Sequence, residues 1–315
     1  TGYDGEGQLT SAIAYVTMDD MPKMYLLEGH GEAVFDADFT AAIKKENIEY
    51  ETINLMNYDV VPEDASCVIS YAPSEDFSDD DTEKMLNYMK KGGNVFLIAG
   101  YTENEMTNFS QLLDFYGVEA TKGYVIEGDR NCYYQNPYFL LPQIIYDDIT
   151  QSAYNSGNYV FVPGALGLTV EERDEVTAVT FLLTSENSYA RNDMESSAGY
   201  EKQAGDQEGP FAVGIKCERT VGDTSSNAVI YSCKELFTSD ADAMVAGTNL
   251  RLFTSTIGSF DDHNVSVSIP VKSYEISTLT IAQNSILLLA LFTTVIIPLV
   301  FLISGFMIWL GRRKR

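Results

Sequence analysis

Two histidines and four cysteines bound the chemistry this chain could perform. His30 stands in Gly29-His30-Gly31-Glu32, directly after the short apolar run Met24–Leu27. An apolar run stopped by glycines reads as a buried parallel strand. In open α/β sheets, ligands bind beyond the carboxyl ends of such strands. The same reasoning brings in the ends of two neighbouring runs: Ser70, Tyr71 and Pro73 after one, Gly100 and Tyr101 after the next. With Gly29, His30, Gly31 and Glu32 they form a candidate ligand pocket of backbone amides, an imidazole and a carboxylate. The competing reading is a tight turn in which the glycines only supply the required dihedrals.

Hydrolysis needs a nucleophile beside a base. The strand that would present one ends Ser70-Tyr71-Ala72-Pro73, without the Gly-x-Ser-x-Gly elbow or its cysteine counterpart. The chain contains no Gly-x-x-x-x-Gly-Lys-Ser/Thr loop, and no Gly-x-Gly-x-x-Gly follows a strand. Cys67, Cys132, Cys217 and Cys233 match no zinc or redox spacing. Cys67 falls in a strand and reads as an inert buried thiol, while Cys217 and Cys233 could face each other across a hairpin. Asp79-Asp80-Asp81 suits the positive end of a helix better than a metal. No catalytic residue, metal or cofactor is therefore assigned. His263, between Asp262 and Asn264, reads as a surface-loop residue. The tyrosines of 133–146 could stack on sugars, although packing and loop anchoring account for them as well.

The elements that would position these residues alternate. Met24–Leu27, Tyr50–Leu55, Cys67–Tyr71 and Asn94–Ala99 read as strands, and Asp36–Glu46, the segment after Ser78 and Asn104–Tyr116 as helices. Ser78 is a natural N-cap with Asp81 three residues on. Lys90 and Lys91 close that helix, and Gly92 or Gly93 supplies the left-handed stop. Such alternation predicts an α/β fold, a mostly parallel sheet flanked by helices in the glutamine amidotransferase-like or flavodoxin-like manner. Further strands are expected at Tyr159–Val162, Thr177–Leu183, Phe211–Cys217 and Ala228–Ser232, some of them antiparallel, with a long exposed loop at Glu186–Gly209. A helix starting at Ser239 or Asp240 turns Met244, Leu250, Phe253 and Ile257 inward, and Val265–Val271 alternates, as a strand or an extended segment leading back to the membrane would.

From Ile286 to Leu310 the chain is apolar and uncharged, about 25 residues, enough to cross a hydrocarbon core of roughly 30 Å. Arg312, Arg313, Lys314 and Arg315 follow, a tail that belongs in the cytoplasm, with Trp309 at the interface. Pro298 and Gly305 are tolerated in membrane helices, and Gly305 with Ser304 suits close helix contact. The net charge is −26, and of the 20 basic residues four lie in the tail. The part before Ile286 thus sets 16 basic against 46 acidic residues, which argues against nucleic acid or anionic lipid as its partner. The expected organisation is a lead-in at 1–20, an extracytoplasmic α/β domain at 21–275 and a linker and transmembrane helix at 276–311 (the span at 286–310). The basic tail is 312–315. Within the domain, 21–130 is the parallel core and 131–275 carries the additional strands and helices. An outer domain must be exported, so a signal or membrane helix is expected upstream of Thr1.

The segments MYLLEGHGE, VISYAPSEDFSDDDTEKMLNYMKKGGNVFLIAGY and FSQLLDFYGV occur in that order. LLTSENSY at Leu182–Tyr189, AVIYS at Ala228–Ser232, Asn249 and the tail IPLVFLISGFMIWLGRRKR follow. Over nearly its whole length the chain resembles the auxiliary subunits of ABC transporters of the gliding-motility (GldG-like) type. The resemblance implies an outer domain related in fold to class I glutamine amidotransferases but without a dependable catalytic set. It also implies two partners besides the lipid bilayer, an ABC permease and a cytoplasmic ATPase. A degenerate amidotransferase-like hydrolase and a cell-surface glycan-binding module are the alternatives.

Overall fold

The computed structural model describes residues 21–191, 199–260 and 289–313, together with Gly2–Tyr3, Leu9, Val16 and Lys272–Ser273. In chain order the elements are β1 (Gly2–Tyr3), β2 (Lys23–Leu27), α1 (Ala37–Lys45), β3 (Glu49–Ile53), β4 (Cys67–Tyr71), α2 (Asp79–Lys90), β5 (Val95–Ile98) and α3 (Thr107–Asp114). They continue with β6 (Val118–Ile126), β7 (Phe139–Leu140), β8 (Gln143–Ile144), α4 (Gln151–Ser156), β9 (Val162–Pro163), β10 (Leu166–Val170), β11 (Val176–Leu183), β12 (Tyr189–Ala190) and β13 (Gln207–Glu208). Then come β14 (Ala212–Val221), β15 (Thr224–Tyr231), α5 (Ser239–Met244), α6 (Thr248–Gly258), β16 (Lys272–Ser273) and α7 (Ile297–Arg313).

The parallel strands lie in the order β3-β2-β4-β5-β15. The chain leaves β2 for β3 on one side and then crosses to β4 on the other. This is the flavodoxin-like order, and its switch point lies between β2 and β4. The strands β4 and β5 are buried along their whole length, as strands covered on both faces must be. Beyond β15 the sheet continues antiparallel through β14, β10, β6, β12 and β13, with β11 also paired to β14. The fold is therefore α/β, with a parallel core and an antiparallel wing in one mixed sheet.

Side-chain alternation divides the core into two layers. On one face Phe96 and Tyr231 meet Phe39 of α1, Phe237 and Phe253 of α6. Each such ring withdrawn from water contributes about 1.5–3 kcal/mol. On the other face Val68, Leu97 and Ile230 meet Met85 and Met89 of α2 and Leu112 and Leu113 of α3.

Helix α2 begins as the sequence predicts. Ser78 Oγ accepts from the Asp81 amide at 3.1 Å, and three aspartates fill the first turn. Helix α3 is capped from outside: the Asp76 carboxylate accepts from the amides of Asn108 and Phe109 at 2.8 and 2.9 Å.

Several expectations are corrected. The strands β6 and β10 pair with each other where no strand was expected at all, since interrupted patterns such as VEATKGYVI carry no clean period. The segment 186–209 is not simply an exposed loop, because β12 joins β6 and Tyr189, Ala190 and Arg191 are buried. The single helix expected from Ser239 is two, α5 and α6, broken where Ala246 and Gly247 take φ of 51° and 84°. Cys217 and Cys233 lie in opposite core layers and are free thiols, so no hairpin disulfide joins them. His263 and Val265–Val271 lie outside the described residues.

The apolar C-terminal segment is helical from Leu289. Its span Leu289–Leu310 has 22 residues and a mean hydropathy of 2.4, with none of it buried. At 1.5 Å per residue this reaches about 33 Å, long enough to cross a membrane. The segment Phe292–Ile296 is π-helical and directly precedes the turn containing Pro298, whose missing N–H disturbs the ladder there. Gly305, Trp309, Leu310, Arg312 and Arg313 lie on the same helix, with the Arg313 guanidinium 5.4 Å from the Trp309 ring. Ile286, Lys314 and Arg315 lie outside the described residues.

Candidate functional site

The loop after β2 lies at the switch point, beside the loop after β4. The two are stitched together: the Ala33 amide donates to the Tyr71 carbonyl at 2.8 Å, and the Ser74 and Glu75 amides donate to the His30 carbonyl at 3.1 and 2.9 Å. The approach is so close that a Cβ on Gly31, at φ +68°, would sit 2.2 Å from Ser74 Oγ. That hydroxyl donates to the Gly31 carbonyl at 3.0 Å. The glycines are thus required by backbone conformation and by crowding.

The His30 ring is turned inward and lies flat on Phe77, with centroids 3.9 Å apart and planes 7° from parallel. Its Nδ1 lies 2.8 Å from Glu32 Oε1, and its Nε2 lies 3.3 Å from Asp81 Oδ2. The His30 amide donates to Glu32 Oε2 at 2.8 Å, and Ser78 Oγ donates to Asp81 Oδ2 at 2.9 Å. The other Asp81 oxygen lies 3.4 Å from Lys84 Nζ. The Glu32 and Asp81 side chains are only 3% and 2% exposed. Burial opposes a charge on His30, but the carboxylates on both ring nitrogens outweigh it and raise its pKa. Burial likewise opposes ionisation of Glu32, and the bonds from the His30 ring and amide outweigh it and lower its pKa. The result is an imidazolium clamped between two carboxylates, fastening the loop after β2 to the first turn of α2.

The remaining candidate residues diverge. Tyr71 points to the other face, where its hydroxyl donates to the Lys234 carbonyl at 2.7 Å and its ring stacks on Phe35. Ser70 is fully buried, and its hydroxyl has no partner. Pro73 is buried in the loop after β4. Gly100 lies where a Cβ would come 3.0 Å from that of Ala72, and Tyr101 packs on Tyr124. The structure therefore gathers Gly29, His30, Gly31, Glu32 and Pro73 at the switch point and disperses the others. Phe77, Ser78 and Asp81 complete the cluster, and sequence reasoning missed their link to His30. The capping box marked Ser78 and Asp81 as a helix start, but nothing local signals a contact with a residue 51 positions away.

No thiol is placed to act as a nucleophile. Burial raises the thiol pKa at Cys67 and Cys233, pushes Cys217 up to about 12 and pushes Cys132 up to about 11. Among the described residues no group of His, Cys, Asp and Glu could hold a metal ion. A groove of about 540 Å³ runs along the flank of α2, lined in part by Asp59, Glu63, Asp80, Lys84, Tyr88 and Lys91. It borders the His30 cluster only through Asp80 and Lys84 and holds no histidine, cysteine or serine.

No family model and no curated protein matches the chain. Among solved structures it is similar to the mmIFT52 N-terminal domain, at 12% identity and a TM-score of 0.54, over 77% of this chain and 99% of that one. It is also similar to PurLQS from Thermotoga maritima, at 11% identity and a TM-score of 0.39, over 77% and 100% of the two chains. For a GMP synthase subunit from Thermoplasma acidophilum the figures are 8% and 0.36, over 77% and 97%. The second and third likenesses are too distant to carry an argument. The first is a likeness of fold alone, and it covers nearly the whole of that structure.

Proposed function

We propose that this chain is a non-catalytic, membrane-anchored auxiliary component of an ABC transporter complex. The acidic α/β domain lies outside the membrane, and the basic end of α7 lies in the cytoplasm. The observation that carries the non-catalytic part is the state of His30. Both ring nitrogens are committed to buried carboxylates, so the ring has no free lone pair with which to activate a nucleophile. The transporter part rests on the sequence resemblance and on the exposed apolar span Leu289–Leu310. That span presents Ser304 and Gly305 for packing against a neighbouring helix.

The test is co-purification. Full-length chain, tagged and extracted from its native membranes in mild detergent, should bring down a multispanning permease and an ATPase in fixed ratio. Reproducible recovery of the chain alone would sink the proposal. Protease added to sealed, right-side-out cells should remove the α/β domain and spare α7. Full protection of the domain would overturn the orientation.

A further inference from the structure

A row of tyrosines crosses the carboxyl edge of the sheet, apart from the His30 cluster. Tyr101, just beyond β5, lies 4.6 Å from Tyr124 of β6, measured between ring centroids. Tyr124 lies 5.9 Å from Tyr138, and Tyr138 lies 5.6 Å from Tyr200, both pairs edge-to-face at 72° and 69°, so successive rings turn across the row. The four rings come from four separate segments, so the row is a product of the fold and is invisible in the sequence. The rings of Tyr101, Tyr124 and Tyr138 are half-buried, and Tyr200 is 49% exposed.

The row differs from the core tyrosines in how its hydroxyls are used. Tyr71 donates to a carbonyl, Tyr116 bonds to Ser226 and Tyr231 bonds to Thr256. Among the described residues, Tyr101, Tyr124, Tyr138 and Tyr200 have no such hydroxyl partner. Burial and the nearby Glu235 carboxylate push the Tyr124 phenol up to about 12, so it remains a neutral donor.

Two further observations single the row out. The backbone at Tyr200 is fixed from beneath. Arg191, 2% exposed and paired with Asp206 at 3.2 Å, donates to the carbonyls of Gly199 and Glu201 at 3.0 and 2.6 Å. The Tyr189 hydroxyl donates to the carbonyl of Tyr200 itself. A guanidinium loses much hydration on burial, and here its bonds hold the backbone on either side of Tyr200.

The second observation is Ser232. Its carbonyl accepts from the Leu166 amide at 2.9 Å, and Leu166 lies directly opposite Tyr124. Ser232 directly follows Tyr231 at the end of β15, so continued alternation puts it on the side of Ile230, whose layer also holds Leu166 and Tyr124. Its hydroxyl is fully buried and has no hydrogen-bond partner.

Aromatic faces with phenol donors match a ligand whose C–H faces and hydroxyls alternate. Glu235 makes the surroundings negative, and Arg191 is already paired, so an anion is disfavoured. The row is several rings long, which suits a chain of sugars better than a single one. We propose that Tyr101, Tyr124, Tyr138 and Tyr200 form a binding site for a neutral oligosaccharide. This inference stands on the ring geometry and does not depend on the transporter partnership. It also divides the tyrosines of 133–146. Only Tyr138 belongs to the row, whereas Tyr146 packs on Tyr154 and Tyr134 packs beside Leu141 and Phe161.

The test uses full-length chain in lipid nanodiscs, free of sugar-based detergent. The probes are maltohexaose, cellohexaose and chitohexaose, followed by saturation-transfer NMR, with a proline decapeptide as the rival. At least one hexasaccharide should bind saturably at millimolar concentration. Tyr101→Ala and Tyr124→Ala should each weaken it about fivefold to tenfold, and Tyr146→Ala should leave it unchanged. The Tyr101→Phe/Tyr124→Phe variant keeps both rings and their packing and should weaken binding about fivefold or more through the lost hydroxyls. Failure of all three sugars to bind, binding indifferent to the Tyr101 and Tyr124 changes, or a row that takes the proline peptide instead would each overturn the proposal.

Discussion

Replacing His30 by glutamine removes the positive ring from between two carboxylates whose side chains are 3% and 2% exposed. Breaking a buried pair from one side costs about 3–5 kcal/mol, because the remaining charges stay desolvated without their partner. Glutamine can still donate to one carboxylate, and Lys84 already lies 3.4 Å from Asp81, so the low end, about 3 kcal/mol, is expected. The lost stacking on Phe77 belongs within that figure. In a domain of this size the loss lowers Tm by roughly 6–12 °C. The effect depends on pH. The His30 pKa is raised, so its contribution is fully present below the unfolded value of about 6.5 and is lost as pH rises through the folded value. The Glu32 pKa is lowered, so its contribution is present above the unfolded value of about 4.3 and is lost as pH falls through the folded value. The Tm gap between wild type and His30→Gln, followed by circular dichroism, should therefore be widest near pH 5.5–6 and narrow towards pH 9. A gap that stays constant over that range, or one below about 1 °C at pH 6, would refute the imidazolium clamp.

Gly31→Ala places a Cβ 2.2 Å from Ser74 Oγ at a φ of +68° and should cost about 2 kcal/mol, read from the midpoint of urea unfolding. Ser78→Ala removes the cap of α2 and a bond to Asp81, and the same measurement should show a loss of about 1–2 kcal/mol. Cys67, Cys217 and Cys233 are fully buried, whereas Cys132 is partly exposed. Ellman's reagent at pH 8 should therefore titrate no more than one thiol in the folded chain and four in denaturant.

The parts of the fold legible in the sequence are those in which local pattern and global role agree. CVISY and NVFLIA are continuous apolar runs because β4 and β5 are covered on both faces, and the cap at Ser78 is chemistry complete within four residues. The antiparallel wing carries weaker local signals. In β6 the burial pattern alternates imperfectly, and β10 and β12 are short enough that pairing, not composition, makes them strands. The segment holding Tyr189 and Arg191 looked like a polar loop, because a buried arginine reads as surface until its partner Asp206 and the carbonyls it holds are in view. Leu250 and Phe253 pack inward as their spacing predicts, although the helix carrying them starts later than the pattern suggests.

The site followed the same rule with the opposite result. Glycines at a strand end were a sound pointer to the switch point, and the backbone there has the conformation they imply. The pointer said nothing about the direction of the His30 ring, and that direction decides its chemistry. With the ring facing solvent, His30 and Glu32 would offer a base and an acceptor to a ligand. With the ring on Phe77 and Asp81 within reach, the same two residues close on each other. Asp81 makes this possible because the capping box holds it in the first turn of α2, where Ser78 supports its carboxylate. A helix start therefore converts a candidate ligand site into a fastening between the loop after β2 and the first turn of α2. At the same edge of the sheet the fold gathers the rings of Tyr101, Tyr124, Tyr138 and Tyr200, the row proposed above to take a ligand, which no motif in the sequence brings together.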